Sequence, residues 1–314
     1  MNRRMVVLFA LLGVSVSLAC QDILDIQPVP AATDDGGSPD DGAAEASSPT
    51  CDPFAPLGAL TQVAGLPSGP NIAYVTLSPD QLTAYVSEDQ SSDPSAPPTL
   101  VQYQRSSVSS PFGGSTTLGT GPFFVRTTLD NRTAVWNAYE GQGQSTVQNL
   151  RMYMAQRPDA STPFPFDAGT MLFHLDGGYE LEPLIRGDGQ EIFFDGVTQS
   201  ASVYRSLADS GFQSAAVESS IIGQPFALSP DGLVLYEQGP TAVQVVTRPS
   251  PDVKFSNDRQ NVAFPEAGAP GWFYLPVAVS ADYCTVYVFE NMDAQEIDGA
   301  VDVRGALFEA HKQP

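Results

Sequence analysis

From residue 71 onward, short runs of alternating apolar and polar residues recur, each four to eight residues long and bounded by Gly, Pro, Ser, Asn or Asp. No segment carries apolar residues at helical spacing for long enough to form an amphipathic helix, so the pattern predicts an all-β chain of many short strands. Five of the runs align on one aspartate: YVTLSPDQLTAYVSE on Asp80, FVRTTLDNRTAVWNA on Asp130, EPLIRGDGQEIFFDG on Asp188, PFALSPDGLVLYEQG on Asp231 and PVAVSADYCTVYVFE on Asp282. Their intervals of 50, 58, 43 and 51 residues match one four-stranded propeller blade each. The chemistry of the motif explains the turn. Pro presets φ, Asp accepts hydrogen bonds from the amides that follow it, and Gly or Asn tolerates positive φ, so a strand ends and another begins.

A second element follows in most units. An alternating strand ends in Arg and Phe comes a few residues later: Arg105 with Phe112, Arg157 with Phe164, Arg248 with Phe255, and a degraded copy around Tyr204 and Phe212. The last unit stops after LFEAHKQP, with Lys312 at the arginine position and no Phe or fourth strand behind it. The missing piece stands at the other end, in Cys51-Asp52-Pro53-Phe54 and the strand-like LGALTQVAGL. The N-terminal strand is therefore expected to complete the final blade and close the ring, leaving no unpaired edge there.

These SPDG-type turns and Arg-to-Phe elements resemble the WD-repeat-like propellers of TolB-type proteins, including bacterial lipoproteins, over residues 51–314. TolB-like rings commonly have six blades. Five repeats are visible in this chain, and six remains the alternative.

Ahead of the repeats, Met1–Arg4 is basic, residues 5–19 are apolar or small, and Cys20 follows Ser17-Leu18-Ala19. That is the plan of a signal peptide over 1–19. It resembles a lipobox, which implies acylation (palmitate among the chains) of Cys20 and anchoring to a bacterial membrane, on the periplasmic side or at the cell surface; plain secretion is the alternative. Residues 20–50 hold seven carboxylates and no aromatic residue, the composition of a disordered acidic tether. As a coil of thirty or so residues it would span about 30 Å. Cys51 and Cys284 remain, one before the closing strand and one in the blade it completes. A disulfide between them would staple the ring in an oxidising compartment, and two buried thiols are the other reading.

Composition narrows the function. With 36 acidic and 14 basic residues the formal charge is −22, which repels phosphate backbones and anionic lipid surfaces and excludes nucleic acid as a partner. Two histidines, His174 and His311, and no Cys/His spacing give no metal site and no cofactor is implied. The recurring aspartates are turn residues before they are ligands, and Arg186-Gly187-Asp188 falls in the same register as the other turns. The polar exceptions on the inner strands, Thr76, Arg126 and Glu182, are the candidates for a channel site. Trp136 and Trp272, the latter in Gly271-Trp272-Phe273-Tyr274, are candidate contact aromatics, with core packing between blades the favoured reading. No catalytic set is evident. The expectation is a monomeric, non-enzymatic envelope scaffold for a protein or polysaccharide, and the rival is a hydrolase or lyase with its site in the channel.

Overall fold

A computed structural model describes residues 50–69, 71–89, 97–139, 150–173, 180–196, 201–208, 211–212, 216–217, 221, 223–239, 242–264, 274–290 and 305–312. Among the described residues the strands form five antiparallel sheets. Blade 1 comprises Ile72–Leu77, Thr83–Glu88, Thr99–Gln104 and Gly113–Thr120. Blade 2 comprises Phe123–Thr127, Thr133–Tyr139, Leu150–Gln156 and Thr170–Phe173. Blade 3 holds Glu180–Ile185, Glu191–Gly196 and Ala201–Ala208, its outer part split into Gly211–Phe212 and Ala216–Val217. Blade 4 comprises Pro225–Leu228, Val234–Gln238, Val243–Thr247 and Gln260–Asn261. In blade 5, Tyr274–Val279, Thr285–Glu290 and Ala306–His311 are completed by Thr61–Gln62 from the N-terminal end.

The first strand of each blade is innermost and touches the first strand of the next, and blade 5 returns to blade 1. The described strands thus form a closed β-propeller of five blades, the smaller of the two counts the repeats allowed. Second strands such as TAYVSE and TVYVFE are buried on both faces because blades cover them from each side, and they read as nearly continuous apolar runs. Core clusters lie between neighbouring blades. One joins Val75, Val86 and Phe112 of blade 1 to Val277, Tyr287 and Phe289 of blade 5, which makes the closure a packed interface like the others.

Every motif aspartate is a turn residue. Asp80 accepts from the Ser78 hydroxyl (2.5 Å) and the Leu82 amide (3.0 Å), and Asp231 repeats this with Ser229 and Leu233. Asp130 and Asp282 do the same with Thr128 and Ser280. Asp188, which lacks the hydroxyl partner, takes Gln190 N–H and the Arg186 guanidinium instead. The next residue has positive φ in all five turns: Gln81, Asn131, Gly189, Gly232 and Tyr283.

The Arg-to-Phe element closes the same turn from behind. Arg105, Arg157 and Arg248 donate from Nε to the carbonyls of Gln81, Asn131 and Gly232 at 2.6–2.7 Å. Their guanidinium groups lie over Phe112, Phe164 and Phe255, with 4.0–4.8 Å to the ring centroids. Arg248 also meets Glu191 at 2.5 Å inside the molecule, and Arg186 reaches the same carboxylate at 2.9 Å. In blade 5 Lys312 occupies the arginine position and its ammonium bonds the carbonyls of Asp52 and Pro53.

The N-terminal segment joins blade 5 by few backbone contacts. Thr61 and Gln62 pair with Glu309 and Phe308, Leu57 forms a single bridge to Lys312, and Cys51 N–H donates to Asp282. The Cys51–Cys284 disulfide fastens it, with Cα atoms 5.0 Å apart.

Candidate functional site: the axial channel

All five inner strands carry one residue more than the second strand opposite. The register slips between Ile72 and Tyr74, Phe123 and Arg126, Leu181 and Leu184, Pro225 and Ala227, and Pro276 and Ala278. A bulge of this kind takes backbone groups out of the ladder and turns them aside. In three blades the freed carbonyls accept side-chain donors from another blade. Val125 O accepts from Thr76 Oγ1 at 2.6 Å. Phe226 O and Val277 O accept from Arg126 Nη2 and Nη1 at 3.0 and 2.5 Å.

Arg126 thereby bridges the axis. It leaves blade 2, binds carbonyls of blades 4 and 5, and donates to the Tyr74 hydroxyl of blade 1 at 3.3 Å. It is buried, and burial pushes the Tyr74 hydroxyl well above its ordinary pKa, with Arg126 pulling it back and the Glu182 charge raising it. Glu182 is buried in the same region. Its N–H donates to Asn137 Oδ1 at 3.0 Å, and Phe124 meets Tyr74 edge-on with 4.1 Å between ring centroids. Phe124 and Glu182 both adopt positive φ, 53° and 51°, within their bulges. No glycine stands at either position, so local strain is held there by the surroundings.

Thr76, Arg126 and Glu182 therefore belong to one channel, as the inner-strand polar residues suggested. Tyr74, Asn137 and the bulge carbonyls are the members that the sequence pattern does not reveal. Tyr74, Phe124 and Glu182 stand six residues before the motif aspartate, whereas Val75, Val125 and Val277, five before it, offer the apolar side chains that make the inner strands look like packing alone. An even offset would have exposed the set.

Trp136 is core, the favoured of its two readings, and is set aside as a contact candidate. It is 1% exposed, wedged against Phe166 and Tyr153, with Gly169 lying so close that a Cβ there would fall 2.3 Å from the indole. The middle of TAVWNAY is covered on both faces, and Trp136 packs with Tyr85 and Leu100 of blade 1, so it is core and not a contact aromatic. Trp272 and His174 lie outside the described residues, as do Cys20 and the tether. His311 is exposed, its Nδ1 3.0 Å from Thr285 Oγ1. Among the described residues no group of three His, Cys, Asp or Glu side chains could hold a metal ion.

On the turn side of Arg126 the channel widens into a cavity of about 30 Å³ to which all five blades contribute: Leu77 and Pro79, Arg126 and Thr127, Leu184, Leu228 and Pro230, and Val277 to Val279.

A closed propeller with a bulge-lined axis defines the class. No protein-family profile and no curated protein matches the chain by sequence. Solved structures do match it. The α-L-arabinofuranosidase PaAbf62A from Podospora anserina, solved with cellotriose, shares 13% identity over 83% of this chain and 98% of its own, at a TM-score of 0.50. TolB from Acinetobacter baumannii shares 13% identity over 62% of this chain and 46% of its own, with a TM-score of 0.40. The periplasmic gluconolactonase PpgL of Pseudomonas aeruginosa shares 16% over 76% and 71%, at 0.39. At these identities the likeness is one of fold.

Proposed function

We propose that the chain is an exported, lipid-tethered propeller that serves as a non-enzymatic binding scaffold of the bacterial envelope, presenting the face opposite its turns. The observation that carries the reading is where the chain enters the ring. Cys51 is bonded to Cys284 and hydrogen-bonded to Asp282, beside the blade 5 turn, so a tether running from Cys20 to Thr50 meets the turn face. A membrane at the far end of that tether leaves the opposite face the more accessible one. The disulfide fits an oxidising compartment, in line with export.

The channel favours binding over hydrolysis. Arg126 fills the axis, and among the inner strands only Glu180–Ile185 carries carboxylates. Glycoside hydrolysis by paired carboxylates needs two that flank the scissile bond, and among the described inner strands one blade alone offers any, which supports the binding reading.

The test is fractionation with intact-mass measurement. Wild-type protein is expected in the membrane fraction carrying acyl mass on Cys20, and Cys20→Ala is expected in the soluble envelope fraction. Wild-type protein that is soluble and unacylated overturns the tethered reading.

A further inference from the structure

We propose that the cleft between blade 4 and the N-terminal closing segment is a binding site for a small neutral aromatic molecule with one hydrogen-bond acceptor, which takes the Tyr236 hydroxyl. The cleft has a volume of about 140 Å³. Residues 53–57 form one wall, and Tyr236, Val245 and residues 260–263 of blade 4 form the other. The departures of blade 5 from the repeat shape it. In blades 1, 2 and 4 a guanidinium covers the Phe of the same element, whereas the Lys312 ammonium turns to the Asp52 and Pro53 carbonyls. No cation among the described residues lies over Phe54, which stays half-buried and lines the cleft.

Two observations point to a ligand. Tyr236 is 1% exposed, and its hydroxyl makes no hydrogen bond to a described residue; burial alone raises its pKa, with no charge or donor beside it. The Tyr85 hydroxyl is also without a partner but is sealed from solvent, whereas that of Tyr236 is not, and the space Tyr236 lines is this cleft. A buried donor open to a cavity calls for an acceptor from outside the chain. The second observation is that no lining residue is charged, in a chain of net charge −22. An ion would give up its hydration there with no counter-charge, so the ligand is neutral. Size selects the ring: an apolar cavity of about 150 Å³ admits benzene. A rigid ring loses little conformational freedom on entry, and Phe54 offers it an aromatic neighbour. A sugar of similar size brings several hydroxyls to one buried donor, and the amides of Gln260 and Asn261 are exposed at the mouth, with Asn261 Oδ1 already accepting from Gln244. The site goes beyond the scaffold reading and stands independently of the tether and of the face opposite the turns.

The experiment titrates the full chain with benzonitrile, with toluene, benzoate and glucose as comparators, reading binding by NMR line shape and by Overhauser transfer to the Leu57 and Val245 methyls. Saturable benzonitrile binding with a dissociation constant of order 1 mM is expected, with transfer to both residues. Tyr236→Phe removes a hydroxyl that has no partner in the chain to lose, so the fold is kept. This variant is expected to weaken benzonitrile about fivefold and to leave toluene unchanged. No saturable binding of either ring, benzonitrile affinity unchanged in Tyr236→Phe or reduced equally for toluene, or benzoate or glucose bound as tightly as benzonitrile overturns the assignment. A cleft filled by ordered water alone gives the first of these results.

Discussion

Removing the disulfide tests how the ring is held closed. The Cys51→Ser, Cys284→Ser variant deletes a cross-link spanning 233 residues of sequence. Loop-closure entropy for a link of that length sets an upper bound of about 5 kcal/mol, and a realistic loss is about 3–5 kcal/mol because an unfolded chain keeps some compactness. For a domain of this size that corresponds to a fall in melting temperature on the order of 10 °C. The loss should begin locally. Without the bond the segment is held by two paired residues, the Leu57 bridge, the Lys312 ammonium and the burial of Leu57 and Val63. Amide exchange at Gly58 and Val63, which donate to His311 and Leu307, should therefore accelerate more than exchange in Thr285–Glu290, the fully flanked second strand of the same blade. Thermal melts with and without reductant and site-resolved exchange are the assays. A melting shift near zero, or acceleration spread evenly over all blades, would refute a ring fastened at this one seam.

Three further outcomes follow from the interior. Arg248→Met leaves Glu191 without the buried one of its two cations and should cost about 3 kcal/mol in urea unfolding, whereas Arg132→Met, at an exposed turn, should stay within about 0.5 kcal/mol of wild type. Gly232→Ala should lose about 2 kcal/mol in the same assay, because φ there is +76° and the new Cβ would lie 2.6 Å from Arg186 Cδ. Burial pushes Lys312 down to about 8, so between pH 8 and 10 the folded chain releases a proton that the unfolded chain keeps, and this residue's contribution makes stability rise with pH. Lys312→Met should remove that rise when melting curves of the two proteins are compared from pH 7 to 10.

The architecture was legible because each repeat states its own turn chemistry. Asp80, Asp130, Asp188, Asp231 and Asp282 all hold turns, and Arg105, Arg157 and Arg248 each lock the turn of their own blade. The complementarity of Lys312 with Phe54 foretold the closing segment, although in the strand-like LGALTQVAGL only Thr61–Gln62 form a strand, with Leu57 adding one bridge and residues 64–66 turning. Trp136 kept two readings, core or contact, because exposure depends on the neighbouring blade, which no local pattern records. The channel was half legible. Polar side chains on inner strands announced Thr76, Arg126 and Glu182, but which atoms they meet depends on the bulges, and a bulge is one residue of register that only pairing reveals. The backbone carbonyls of Val125, Phe226 and Val277 became the channel's acceptors without any side-chain signature.

The proposed scaffold stands or falls on contact by the face opposite the turns. The direct measurement is photo-crosslinking in cells, with the probe placed at Thr120 or Gln238 on that face and, in parallel, at the exposed Leu129 on the turn face. A discrete, saturable adduct from Thr120 and Gln238 that is absent from Leu129 and diminished by Cys20→Ala is the expected result. Adducts equally abundant from both faces, or none from Thr120 and Gln238, would contradict it.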